Sequence, residues 1–304
     1  MCHNTYLTLT FTKVNTYLFM KKLSFRFLFI IPLFILNFSC SEDSDNTTEP
    51  QETETTVMAT QMLNVSYGND SAQVYDIHLP ENRNKNTKII ILVHGGGWTS
   101  GDKTHMNTYK TNIQEDLPEY AIVNINYRLA SQGVSPFPMQ LNDITAVINH
   151  LKTNQSEYII SQDYGFFGVS AGAHLAMLWS YDYDTQNNIN MVASIVGPTN
   201  LADPAYSSII NPGFLFFGVT PSNDFLELYS PFHQAKNTSP PTVLFYGGMD
   251  PLIPNSQGAD MDAKLTDLDI THEFTLYSNE GHGWSGEHLL DTWTRVKAFI
   301  TTHH

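Results

Sequence analysis

The chain has 304 residues, 41% of them hydrophobic and 12% aromatic, with 15 Lys and Arg against 30 Asp and Glu. That length and apolar content exclude a wholly disordered chain and suit one large core or two small ones. A formal net charge of −15 with no basic cluster excludes a protein that grips nucleic-acid phosphates, and two cysteines without zinc-site spacing exclude both a disulfide framework and a structural zinc fold.

Residues 1–39 hold four bases, Lys13, Lys21, Lys22 and Arg26, and no acid. From Met20, a second possible start, Lys21-Lys22 precede the apolar run Phe27 to Leu36, which gives way to Asn37-Phe38-Ser39-Cys40. This is the basic, apolar and small-residue order of an export signal, too short for a stable membrane span. Ending on a cysteine, it resembles a bacterial lipoprotein signal. The resemblance implies lipidation of Cys40 and an outer-membrane or cell-surface location in a Gram-negative bacterium, with membrane contact only through that lipid. A plain signal peptide cut nearby, releasing a periplasmic or secreted protein, is the alternative. Ser41 to Thr56 carries six acids and no base, so it cannot bury enough surface to order itself and reads as a flexible tether. The expected division is signal 1–39, acidic tether 40–56 and a folded domain 57–304.

Within the folded domain, apolar β-rich runs occur at Met62 to Tyr67, Val74 to Leu79, Ile89 to Val93, Ala121 to Tyr127, Tyr164 to Phe167, Met191 to Val196, Val243 to Tyr246 and Phe274 to Tyr277. The unbroken Ile89-Ile90-Ile91-Leu92-Val93 suits a central parallel strand covered on both faces. Helical spacing lies between the runs, as at Leu141, Ile144, Val147, Ile148 and Leu151 within Gln140 to Lys152. Such alternation implies an α/β fold, a mostly parallel eight-stranded sheet with helices on both faces. In these sheets ligands bind beyond the carboxyl ends of the strands.

Four strand ends carry chemistry. After Ile89 to Val93 comes His94-Gly95-Gly96-Gly97-Trp98. Acyl transfer builds negative charge on a carbonyl oxygen, and consecutive glycines leave backbone N–H donors unscreened where that charge develops. The donors expected are Gly96 and Gly97, with Gly95 as the alternative, together with Ala171. After Tyr164 to Phe167 comes Gly168-Val169-Ser170-Ala171-Gly172, directly before the helix-like Ala173 to Tyr181. A G-x-S-x-G between strand and helix places the serine on a tight turn that thrusts Oγ out of the sheet. Two later strands run into Asp250 and into Gly281-His282-Gly283. Serine, acid and histidine follow in an order distinct from both familiar serine-protease orders, which makes Ser170, Asp250 and His282 the expected triad. No metal or organic cofactor is implied.

These motifs, with Gly101-Asp102-Lys103, Asn126-Tyr127-Arg128-Leu129, Phe137-Pro138 with Asp143, Gly168 to Leu175 and Tyr246 to Pro251, make the chain from about Met62 onward resemble the α/β-hydrolase superfamily. The branch is that of acetylxylan and feruloyl esterase-like proteins, related to the hormone-sensitive-lipase-like carboxylesterases. The resemblance implies the α/β-hydrolase fold for the domain, the same triad, and a serine esterase acting on an acylated polysaccharide or oligosaccharide such as xylan, acetyl first and feruloyl second. A general carboxylesterase is the alternative, with a serine peptidase or a silent binding protein behind it. Arg128 with Asp143, Asp102 with Lys103, and His174 read as structural neighbours of the site. Trp98 either flanks the acyl pocket or covers the sheet edge. Leu201 to Pro240, with Phe214-Leu215-Phe216-Phe217-Gly218, is either a crossover packed on the sheet or a partial lid.

Overall fold

The computed structural model describes residues 56–304; the expected export signal, Cys40 and the expected acidic tether up to residue 55 lie outside the described residues. One sheet organises the domain: β1 (Thr60–Ser66), β2 (Val74–Leu79), β3 (Ile89–Val93), β4 (Ala121–Ile125), β5 (Tyr164–Val169), β6 (Ile189–Ile195), β7 (Thr242–Gly247) and β8 (His272–Tyr277). Their spatial order is β1-β2-β4-β3-β5-β6-β7-β8. Strand β2 is antiparallel to both β1 and β4, and every other neighbouring pair is parallel. The helices are α1 (Asn107–Asp116), α2 (Met139–Thr153), α3 (Gln155–Tyr158), α4 (Ala171–Leu178), α5 (Pro204–Phe216), α6 (Asn223–Leu228), α7 (Pro231–Gln234), α8 (Asn255–Asp267) and α9 (Gly286–His303).

The unbroken apolar run of β3 divides between two cores. Ile89, Ile91 and Val93 join Leu141, Ile144 and Leu175 from α2 and α4, and Met261 from α8, on one face. Ile90 and Leu92 join Ile113 of α1 and Val296 and Phe299 of α9 on the other. Side chains alternate across a strand, so a strand buried on both sides must be apolar throughout. All five β3 residues are fully buried.

Strands β1, β5, β6 and β7 each differ from the expected bounds by one or two residues at an end, and three further departures have a visible cause. Strand β8 begins at His272 rather than Phe274, because it is an edge strand whose first residues are partly exposed and polar. Strand β4 stops at Ile125, two residues early, where the Asn126 side chain turns to Asp102 and Lys103. Helix α4 begins at Ala171, not Ala173, and its last turn widens into a π turn over Trp179–Tyr183.

Two polar braces hold the loops at the carboxyl end. The carboxylate of Asp102 accepts from the Thr104 amide at 2.8 Å and from Asn126 Nδ2 at 2.8 Å, and Lys103, itself buried, donates Nζ to Asn64 Oδ1 at 2.7 Å. Asp143 of α2, with no exposed surface, accepts from Arg128 Nη2 at 2.6 Å, from the Arg128 amide at 2.8 Å and from Gln73 Nε2 at 2.8 Å. Gln140, one turn earlier, donates to the carbonyls of Trp98 and Arg128. Both pairings agree with the structural roles read from the sequence. Removing Arg128 alone would leave a sealed carboxylate without its cation. Arg128→Met should therefore cost about 3 kcal/mol in urea unfolding.

Candidate active site

Strand β5 ends beside β3, with Val93 opposite Gly168, and the chain then reverses through Ser170 into α4. Ser170 adopts φ 53° and ψ −124°, a region that side chains other than glycine enter only under strain. Two neighbours hold it there. Its amide donates to the Ile195 carbonyl of β6 at 2.8 Å, and Gly172 lies so close to β3 that a Cβ would sit 2.2 Å from the Val93 carbonyl oxygen. The second glycine of the motif thus lets the helix start against the strand, and the serine between them has nowhere to point but outward.

Asp250 and His282 arrive from the neighbouring strands β7 and β8. Gly247 brings their loops together: a Cβ there would fall 2.1 Å from the Gly281 carbonyl oxygen, and the Met249 amide donates to the Glu280 carbonyl at 2.8 Å. His282 Nδ1 lies 2.7 Å from Asp250 Oδ2, and its Nε2 lies 2.9 Å from Ser170 Oγ. The other carboxylate oxygen of Asp250 accepts from the amides of Leu252 and Ile253 at 2.8 and 3.1 Å. Burial works against the Asp250 charge, but the His282 hydrogen bond and these two amides outweigh it, so the carboxyl is held below its ordinary range. The three residues expected from chain order therefore form one continuous hydrogen-bonded chain.

The glycine loop borders the same site. Gly96 and Gly97 have φ 124° and 58°, and the amides of Gly95, Gly96, Gly97 and Ala171 donate to no described residue. All three glycines line a cavity of about 550 Å³ together with Ser170 and His282. His94, the first residue of the motif, is buried, stacks on Tyr127 at 4.3 Å and lies with Nδ1 2.7 Å from the Gly95 carbonyl.

Trp98 is also buried and lines the cavity, stacking at 6.4 Å on Phe214 and packing edge-on against Phe137 and His174. It is a wall of the pocket, not a cover for the sheet edge. His174 of α4 is fully buried, with Nε2 2.8 Å from the Tyr229 carbonyl and the Trp98 indole donating toward Nδ1 at 3.4 Å. Burial pushes its pKa down to about 4, against the hydrogen bond to Tyr229.

The segment 201–240 does two jobs. Phe214 and Phe217 are buried with Trp98 in the core, as a packed crossover requires. Tyr206, Ile209 and Ile210, from the first half of α5, line the cavity. The Phe-rich end of the helix thus packs in the core, and its start supplies the pocket wall. Leu252, Ile253, His105, Met106 and Tyr109 complete it and were also not singled out. A signal was present in Tyr206, Ile209 and Ile210, which stand at i, i+3 and i+4 and so share a helix face.

The BD-FAE family model matches residues 75–265, spanning the glycine loop, Ser170 and Asp250 but not His282. The chain belongs to the BD-FAE family. This BD-FAE member is 22% identical over 241 residues to the isoprenylcysteine alpha-carbonyl methylesterase of Arabidopsis thaliana, covering 72% of this chain and 55% of that one. It spans about half the length of the curated relatives it matches. Among solved structures it resembles a truncated carbohydrate esterase from gut microbiota, with a TM-score of 0.68 at 19% identity over 80% of this chain and 95% of that one. It also resembles an acetyl ester-xyloside bifunctional hydrolase from Caldicellulosiruptor lactoaceticus, with a TM-score of 0.63 at 18% identity over 75% and 88% of the two chains. The BD-FAE member has the α/β-hydrolase fold.

His174 gives this family member a calculable acid sensitivity. Its folded pKa of about 4 lies below the ordinary 6.5, so between those values the unfolded chain binds the proton and the folded one does not. Stability should be fully present above pH 6.5 and fall as the pH drops toward 4, by up to roughly 1 kcal/mol per pH unit from this residue. Urea unfolding of His174→Gln across that window should show a shallower slope; His78, His94, His150 and His304, shifted in the same direction by burial, would contribute to what remains.

Proposed function

We propose that this chain is a serine esterase that hydrolyses carboxylic esters through an acyl-enzyme. The observation that carries the reading is the hydrogen-bonded chain from Asp250 through His282 to Ser170, opening on a cavity bordered by free backbone amides. His282 Nε2 takes the Ser170 proton as Oγ attacks the ester carbonyl, while Asp250 accepts from Nδ1–H, selects that tautomer and stabilises the imidazolium. The amides of Gly96 and Gly97, with Gly95 as the alternative, and that of Ala171 hold the negative oxygen. His282 then protonates the departing alcohol, takes a proton from water as the water oxygen attacks the acyl carbon, and returns that proton to Ser170 Oγ as the acyl–serine bond breaks.

For the substrate, the reading is an acylated plant polysaccharide or oligosaccharide such as xylan, deacetylated in preference to deferuloylated. Support comes from family membership and from the fold shared with carbohydrate-active esterases. One observation favours a broader carboxylesterase instead: Met106, Ile209, Ile210, Leu252 and Ile253 give the cavity a mostly apolar wall. Release of acetate from acetylated xylan by the wild type should exceed release of ferulate from methyl ferulate, and Ser170→Ala should lower both by several orders of magnitude. Activity retained by pure Ser170→Ala would sink the mechanism; good turnover of p-nitrophenyl esters with no acetate from xylan would favour the broader enzyme.

The basic, apolar and Cys40-ending segment of residues 20–40 supports export as a lipoprotein anchored to the outer membrane or cell surface. In a Gram-negative host, wild-type protein should fractionate with membranes and Cys40→Ala should not. A wild type found wholly in the soluble fraction would refute the anchor.

A further inference from the structure

Apart from Ser170 and His282, the polar side chains lining the cavity are His105, Tyr109 and Tyr206. Tyr206 is only 3% exposed, and its hydroxyl is unlike those of the other deeply buried tyrosines. Tyr75 meets His150 and Tyr158, Tyr127 donates to the His94 carbonyl, Tyr181 meets Thr242 and Tyr246 donates to the Gly197 carbonyl. The Tyr164 hydroxyl has no partner but is sealed in the core. The Tyr206 hydroxyl makes no hydrogen bond to any described residue and is not among the sealed atoms; the residue lies on the wall of the cavity that holds Ser170 and His282. A buried hydroxyl left without a partner costs the protein its desolvation, so one that stays open to a site beside the nucleophile is available to a ligand.

The hydroxyl is also well held. Helix α5 starts at an Asp203 cap that accepts from the Ala205 amide at 2.9 Å, and Asp203 Oδ2 accepts in turn from Ser256 and from Gln257 Nε2 at 2.5 and 3.0 Å. The far end of the helix is anchored by the buried Phe214. Burial, with the Asp250 charge nearby, pushes the Tyr206 pKa up, so the group remains an O–H donor at any working pH. It stands in a wall that is otherwise apolar where α5 supplies it, through Ile209 and Ile210.

Resting on the esterase reading above, we propose that Tyr206 is a specificity-determining residue whose hydroxyl donates to an oxygen on the alcohol part of the substrate, next to the scissile ester. An acetyl group has no oxygen beyond its carbonyl, which the backbone amides take, so any further acceptor must lie on the alcohol. The site thus favours acetyl esters of vicinal polyols over those of simple alcohols. A simple alcohol would cover the Tyr206 hydroxyl without satisfying it, and sites built to bond a substrate oxygen discriminate most strongly in that way.

The test uses two probes of the same size, 2-hydroxyethyl acetate and propyl acetate, which differ in one hydroxyl. The wild type should prefer the hydroxylated ester by about fivefold to tenfold in kcat/KM, as expected for one neutral hydrogen bond, and Tyr206→Phe should bring the ratio close to one. A wild type with no preference, or a Phe variant that keeps the wild-type ratio, overturns the inference. A fluorophosphonate label on Ser170 separates the two readings. Labelled, active enzyme lacking the preference removes the role of Tyr206 alone, whereas no label and no hydrolysis of either ester removes the esterase reading and the inference with it.

Discussion

A single backbone turn sets the position of every other group in the site. Ser170 must take a left-handed conformation to reverse the chain from β5 into α4, at a cost on the order of 1–3 kcal/mol. What offsets it is the contact on either side: the Ser170 amide bonded to β6, and Gly172 pressed against the last carbonyls of β3. Because the serine turn is wedged against β3, the glycine loop that leaves β3 cannot be far from the serine. The sheet order then makes the acid and histidine loops neighbours. Geometry that looks like four separate inventions is one consequence of where a parallel sheet ends.

The charge of the protein plays little part inside this geometry. From Val57 onward the sequence carries 24 acids and 11 bases, yet Asp250 is the one acid in the hydrogen-bonded chain, and its side chain is 1% exposed. Its negative charge is held by three directed hydrogen bonds rather than by a nearby cation. That suits the proposed mechanism, in which Asp250 counters a positive imidazole for part of a cycle without drawing in a permanent partner. The rest of the acid excess lies outside that hydrogen-bonded chain and says little about chemistry.

Much of the fold was legible because burial dictates composition. Strands β2 and β3 were read residue for residue, since one alternates and the other is apolar throughout. The triad and glycine loop were legible because each needs a rare residue type at a strand end. What escaped depends on contacts distant in sequence. The polar start of β8 is a strand only because β7 lies beside it, and helix α4 begins within the motif because Gly172 can pack on β3. The cavity wall from α5 escaped for the same reason. Tyr206 and Ile209 have ordinary helical spacing, and only the path of the chain after β6 brings them over Ser170.

That path also resolves the two opposed readings of residues 201–240. A crossover must return the chain from β6 to β7 and bury its apolar side, which Phe214 does against Trp98 and Phe137, with the buried Phe217 packed edge-on against Phe214. A wall must present a different face to the site, which Tyr206, Ile209 and Ile210 do from the same helix. One helix can serve both because its two ends are constrained separately, by the Asp203 cap with α8 at the start and by the aromatic cluster at the finish. Substitutions on the cavity-facing half can therefore alter what the site admits while the aromatic anchor keeps the helix in place. The cavity wall is thus separable from the strained serine turn, where a Cβ at Gly168 or Gly172 would fall within 3 Å of backbone atoms.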